Sequence, residues 1–299
     1  MASADVTASR GTPSPGRQDW NELAASAWVR APGPDDDKYS RGVLGVVTGS
    51  ESYPGAAVLG VEAAVRTGLG MVRYLGDEAP SRLVLQARPE VVTKSGRVQA
   101  WLLGSGTDAA ERDAAASERL EHALADAVPL VLDAGALDLA DRARGRAVLT
   151  PHAGELVRVL AAFGVTVDRA AVQADPAAHA QRAADLSGCV VLLKGQVTHI
   201  AAPESMTTDR AGVPATARVE APTSWAATAG SGDVLGGILG ALVAGHSEAV
   251  LEDPARLVPL AATAAWVHTW AAERAADGGP VAALDIAHAV PRIIARLLA

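Results

Sequence analysis

The strongest constraint on this chain is an alternation. Short apolar runs closed by glycine or a polar residue take turns with longer helical patterns. "GVLGVVTG" (Gly42–Gly49) is a glycine-bounded apolar run of the kind a buried parallel strand gives. "YPGAAVLGVEAAVRTG" follows with helical spacing and ends at Gly68, a C-cap residue. "MVRYL" and "AWLLGSG" are strand-like, and an Ala-rich helix is predicted over about 109–126. "PLVLDAG" ends in Asp133, "RAVLTPH" in His152 with a helix from about Gly154, and "CVVLLKG" in Lys194. "TAGSGDVLGGILGALVAG" is a glycine turn opening into an apolar helix, and the last third is mostly helical. This is the βα rhythm of an α/β domain with a mainly parallel sheet.

Composition narrows the class. Hydrophobic residues make up 49% of the 299 positions, enough for a sizeable core. Aromatics are 3%, with one Phe (Phe163), so Ala, Val and Leu must build that core. The net charge of -8 argues against a general nucleic-acid footprint. A single cysteine, Cys189, excludes an internal disulfide framework and any cysteine-based zinc site. No apolar run reaches the roughly 18 residues a membrane helix needs. The first residues are polar and carry no signal-peptide core, so the expected location is the cytoplasm. Residues 1–34 are expected to be a flexible tail, with a short helix in "DWNELAASAWV" held through Trp20 and Trp28. Residues 35–299 are expected to form one domain.

In open α/β sheets ligands gather at the carboxyl ends of strands, and the polar residues of interest lie there. In "TAGSGDVLGG" (Thr228–Gly237), Gly230, Ser231 and Gly232 precede a helix whose first-turn amides make an anion cradle. Asp233 is either a helix cap or a base beside that cradle. Of 26 basic residues only Lys38, Lys94 and Lys194 are lysines. Lys194 ends the most strand-like run. It suits a compact charge near phosphates, or a side chain snorkelling out of a strand end. His152, before a helix start, reads as a cap or a catalyst. Asp133 reads as a substrate or hydrated Mg²⁺ positioner or as a turn cap. "GSESYPGAA" (Gly49–Ala57) and "LLGSGTD" (Leu102–Asp108) add two more small-residue loops. Together the loops suit one elongated, phosphate-rich ligand pair. Neither GxxxxGK[ST] nor GxGxxG after the first strand is present, and no histidine spacing suits a metal.

The series "GSESYPGAA", "LDAGAL", "LTPHAGE", "LLKGQVT", "AGSGDVLGGILGAL" closely resembles the ADP-dependent NAD(P)H-hydrate dehydratases of the ribokinase-like superfamily, from about Lys38 to the end. The resemblance implies a ribokinase-like single domain, with a mainly parallel sheet flanked by helices. It implies ADP-dependent dehydration of the (S)-epimer of hydrated NADH or NADPH, giving AMP and phosphate. Asp233 would be the base. Lys194, Gly195, Gln196, Val197, Thr198 and Gly232 would hold the nucleotide. Ala57, Gly106, His152 and Asp233 would hold the hydrate. Mg²⁺ would travel with the nucleotide, with no metal-ligating residue of the protein. A homo-oligomer, as large as a tetramer, is expected. So is dehydratase activity alone, because the tail is too short for an epimerase domain.

The chain departs from the family pattern at Arg41 in "SRGVLG", at "EAPTSWAA", and at Gly104–Gly106, which reads GSG where the family has GPG. The competing readings are an ATP-dependent small-molecule kinase of the same superfamily, acting on a vitamin-precursor or sugar hydroxyl, and a non-catalytic nucleotide sensor.

Overall fold

Nine strands form one sheet in the computed structural model, which describes residues 17–206 and 213–299. They are β1 (Arg17–Asp19), β2 (Val43–Val47), β3 (Met71–Tyr74), β4 (Ala100–Leu103), β5 (Leu130–Leu132), β6 (Ala147–Leu149), β7 (Val190–Leu193), β8 (Val197–Ala201) and β9 (Thr216–Glu220). The order across the sheet is β1-β9-β8-β7-β6-β5-β4-β2-β3. Only β8 is antiparallel to its neighbours β7 and β9; every other described pairing is parallel.

Helices α1 (Glu22–Ser26), α2 (Pro54–Thr67), α3 (Glu78–Ala87), α4 (Ala114–Ala125), α5 (Ala153–Ala162), α6 (Arg169–Ala174) and α7 (Pro176–Ser187) alternate with the strands up to β7. Helices α8 (Ser231–Gly245), α9 (Ser247–Glu252), α10 (Leu257–Ala276) and α11 (Ala283–Leu297) follow β9.

The period of two along each strand divides the core. Leu44, Val46, Leu102, Val131, Val148 and Leu192 face one side and pack with α2, α8, α10 and α11. Val43, Val47, Trp101, Leu103, Leu132 and Leu193 face the other and pack with α4, α5 and α7. Both faces are covered, so the central strands read as continuous apolar runs, as a parallel sheet demands. Helix α8 is almost wholly buried and lies against α2. Gly237 permits this approach, since a methyl there would run into the carbonyl oxygen of Gly60.

The boundary expected at residue 34 is not where the chain joins the sheet. Residues 1–16 lie outside the described residues. From Arg17 on, the chain is part of the fold: β1 pairs with β9. Trp20 is buried and its indole donates to Thr263 Oγ1 at 3.2 Å. Helix α1 begins at Asn21, whose side chain accepts from the Ala24 amide. Three residues pairing only with a distant strand leave no periodic signature, which is why β1 is not legible locally. Strands β2 to β7 and helices α2, α5 and α8 stand close to their sequence-read positions, including the C-cap at Gly68, while the helix read over about 109–126 begins at Ala114. Among the described residues no helix is long and apolar enough to cross a membrane.

Candidate active site

Because the parallel strands share one direction, their carboxyl ends share one edge. That edge carries Gly49 after β2, Gly104–Gly106 after β4, Asp133 after β5, His152 after β6 and Lys194 after β7. Each residue follows an apolar run along the sequence. Only the sheet makes them neighbours.

Lys194 and Asp133 form the centre. Lys194 Nζ donates to Asp133 Oδ1 at 2.8 Å and lies 3.7 Å from Glu155 Oε2. Thr150 Oγ1 donates to the same Asp133 oxygen at 2.7 Å. Burial opposes ionisation of Asp133. The Lys194 charge, with hydrogen bonds from Lys194, Thr150 and Ser105, outweighs it and holds the carboxyl below its ordinary range. Burial likewise disfavours the Lys194 ammonium, but Asp133 and Glu155 overcome this and raise it. The pair is therefore charged on both sides at neutral pH. Asp133 is satisfied from within the protein: it holds Lys194 and makes no side-chain cap to the turn that follows.

Asp233 lies in the first turn of α8, whose N-cap is Gly230. Its carboxyl is raised above the ordinary range, by burial first and then by the charge of Asp133. A Ser105 hydrogen bond and the Lys194 charge oppose this. Ser105 Oγ lies 2.8 Å from Asp233 Oδ1 and 2.9 Å from Asp133 Oδ2. Gly104, with φ of 93°, turns the chain out of β4 and presents Ser105 to both carboxylates. The amides of Gly232 and Asp233 have no carbonyl one turn back within the helix, so they are available to an anion. A methyl at Gly232 would stand 3.5 Å from Lys194 Nζ, which places the ammonium beside this turn.

A cavity of about 480 Å³ opens here. Its walls bring together His152, Lys194, Gly195, Gln196, Thr198, Ser231 and Gly232 from three separate stretches of sequence. Val197 lies within β8, between wall residues. The Gln196 side chain is already used: its Nε2 donates to the Ala221 carbonyl at 3.0 Å, and Ser224 Oγ donates to its Oε1 at 3.1 Å. It pins the loop after β9 that forms the opposite wall. His152 is the N-cap of α5. Its Nδ1 accepts from the Glu155 amide while Glu155 accepts from the His152 amide, a capping box. The ring remains exposed at the rim, so cap and cavity wall are the same residue.

Ala57 and Gly106 do not line this cavity. Ala57 is fully buried in α2, and Gly106 abuts Ala56 and the Gly49 backbone. Both stand beside a second opening of about 430 Å³ lined by Gly49, Ser50, Gly104 and Thr107. Gly232 of the first opening precedes Asp233 and Gly104 of the second precedes Ser105, and these two side chains meet at 2.8 Å.

Two residues escaped sequence reasoning. Ser105 was one small residue in a glycine loop, with no local signal of its partners. His268, in the middle of α10, reads as part of an apolar helix. It faces the cavity with Nε2 3.0 Å from Ser231 Oγ. Burial first, then the Lys194 charge, pushes its imidazole down to about 4 against the Ser231 hydrogen bond, so it is neutral.

The NAD(P)H-hydrate dehydratase family profile matches residues 44–292. A bifunctional NAD(P)H-hydrate repair enzyme of Corynebacterium glutamicum is 38% identical over 299 residues, covering 89% of this chain and 49% of that protein. The chain thus spans about half the length of the curated relatives it matches first. An ADP-dependent (S)-NAD(P)H-hydrate dehydratase of Neisseria meningitidis is 34% identical over 269 residues, covering 83% of this chain and 82% of that one. The fold matches solved structures of ribokinase-like architecture. One is the ADP/ATP-dependent NAD(P)H-hydrate dehydratase from Bacillus subtilis co-crystallized with ATP/Mg²⁺, with TM-score 0.75, 24% identity, and coverage of 94% of this chain and 98% of that one.

Proposed function

Since the chain belongs to the NAD(P)H-hydrate dehydratase family, we propose that it converts the (S)-hydrate of NADH or NADPH back to the reduced dinucleotide, consuming ADP and releasing AMP and phosphate. The observation that carries this reading is a carboxyl, Asp233, raised by burial, at the amino end of α8 and beside an ammonium held charged. That is a base next to an anion cradle.

Asp233 takes the proton from the C6 hydroxyl as that oxygen attacks the β-phosphorus of ADP. The bond to the bridging oxygen breaks, and AMP leaves. A base whose affinity for protons is raised toward the working pH suits this step. The Gly232 and Asp233 amides are preorganised donors for the transferring phosphoryl. Lys194 supplies a positive charge beside them that Asp133 and Glu155 keep protonated. Gly195 to Thr198 bind the nucleotide, Gln196 indirectly through the loop it pins. Ala57, Gly106 and His152 hold the hydrate. The ring nitrogen's lone pair then expels phosphate from C6, and loss of the C5 proton restores the ring.

Among the described residues no group of His, Cys, Asp and Glu is arranged to hold a metal ion, and Asp133 is occupied by Lys194 and Thr150. Mg²⁺ enters on the nucleotide phosphates, whose oxygens are ligands it prefers. The same reading puts the enzyme in the cytoplasm, where its substrates form, and makes it a homo-oligomer as large as a tetramer.

The test mixes the protein with hydrated NADH, Mg²⁺ and ADP and follows the absorbance of reduced nicotinamide. An ADP-dependent rise, absent without protein, supports the reading. No rise with ADP or ATP from folded protein overturns it, and a stable phosphorylated product from another alcohol would make it a kinase.

A further inference from the structure

Ser105 is buried, with its hydroxyl between two carboxylates, 2.9 Å from Asp133 Oδ2 and 2.8 Å from Asp233 Oδ1. A hydroxyl has one proton to donate, and an ionised carboxylate can only accept. Both contacts are hydrogen bonds at once only when one carboxyl is protonated. Asp133 already accepts from Lys194 and Thr150 at its other oxygen, which marks it as the ionised member. The shared proton then belongs on Asp233, which donates to Ser105 while Ser105 donates to Asp133. When Asp233 is ionised, the hydroxyl turns and donates to Asp233, and Asp133 keeps Lys194 and Thr150.

We propose that Ser105 is a positioning residue for the base: its hydroxyl donates to the Asp233 carboxylate before proton transfer and accepts from the Asp233 carboxyl afterwards. This rests on Asp233 being the base. The proton taken from the substrate stays on Asp233. Ser105 gains and loses none; only the direction of its O–H changes.

The surroundings make this partner consequential. Asp133, at the end of β5, repels a second negative charge, and Lys194, at the end of β7, attracts it. Glu155 of α5 lies behind Lys194, and His268 of α10, bonded to Ser231, is neutral. Ser105 is the side chain that hydrogen-bonds the Asp233 carboxyl directly. Without it the ionised carboxylate loses a donor, the protonated carboxyl loses its acceptor, and Asp133 loses a donor in that state.

The experiment titrates protein carrying ¹³C in its aspartate carboxyls, with the Asp233 resonance identified as the one lost in Asp233→Asn. Ser105→Ala is expected to displace the Asp233 midpoint, because the two protonation states use the hydroxyl differently. Ser105→Cys, which fills the space with a poor donor, is expected to do the same. Ser105→Thr is expected to return it toward wild type. The acid limb of kcat should move with the midpoint, while KM for ADP is unchanged. At a fixed acid pH well below the midpoint, the ionised fraction then changes about tenfold for each pH unit the midpoint moves. An unchanged midpoint in folded Ser105→Ala and Ser105→Cys overturns the proposal. Full turnover by Asp233→Asn would overturn the base assignment instead, and the titration would still decide whether Ser105 governs that carboxyl.

Discussion

Lys194 Nζ and Asp133 Oδ1 lie 2.8 Å apart, although 61 residues separate them in sequence. Lys194 is therefore the partner of a buried carboxylate as well as a charge for phosphates. Lys194→Met should weaken ADP binding and also destabilise the fold, by about 3–5 kcal/mol, because it strands Asp133 without its counter-charge. Lys194→Met/Asp133→Leu should recover most of that stability but not ADP binding. Urea unfolding and ADP titration calorimetry separate the two effects.

The same pair fixes a pH window. Asp133 is lowered on folding, so its contribution is present above the ordinary value of 3.8 and lost as pH falls through the folded value. Lys194 is raised, so its contribution is present below 10.5 and lost as pH rises through the folded value. Between those limits the contribution should be flat. Unfolding curves of wild type against the double variant across pH check this; a difference that varies steeply near neutrality would contradict it.

Asp233→Asn should lower turnover by about 10²-fold or more while nucleotide still binds, as expected for loss of a general base. Steady-state rates and nucleotide binding, measured on the same preparation, read the two parts.

His268 contributes in the same sense as Asp133, in a higher pH window. Its imidazole is held neutral, at about 4 against 6.5 unfolded, so the unfolded chain takes up a proton that the folded one refuses. Stability should fall as pH drops from 6.5 toward 4, by at most about 3 kcal/mol from this residue. His268→Asn should flatten that slope, seen by urea unfolding at about pH 7 and about pH 4.

His152 has two roles that one substitution separates. Asn is among the best N-caps, so His152→Asn should keep the start of α5 while removing the imidazole from the rim. His152→Ala should lose both, at a cost of about 1 kcal/mol. Raised KM for the hydrate in both variants, with lower stability only in Ala, is the expected pattern.

Much of this architecture is written locally in the chain. Short apolar runs place β2 to β7 within a residue or two, because a strand covered on both faces must be largely apolar. The glycines and Asp233 of the α8 turn, and the lysine ending β7, are legible because helix starts and strand ends impose their residue types locally. What those residues are to one another comes from packing. The Asp133–Lys194 pair, the Ser105 bridge to Asp233 and the neutral His268 join positions tens to more than a hundred residues apart. A charge is stabilised or raised by whatever packs within a few ångströms, and no spacing along the chain records that. For the same reason β1 and the burial of Trp20 become visible only once β9 and α10 are in place.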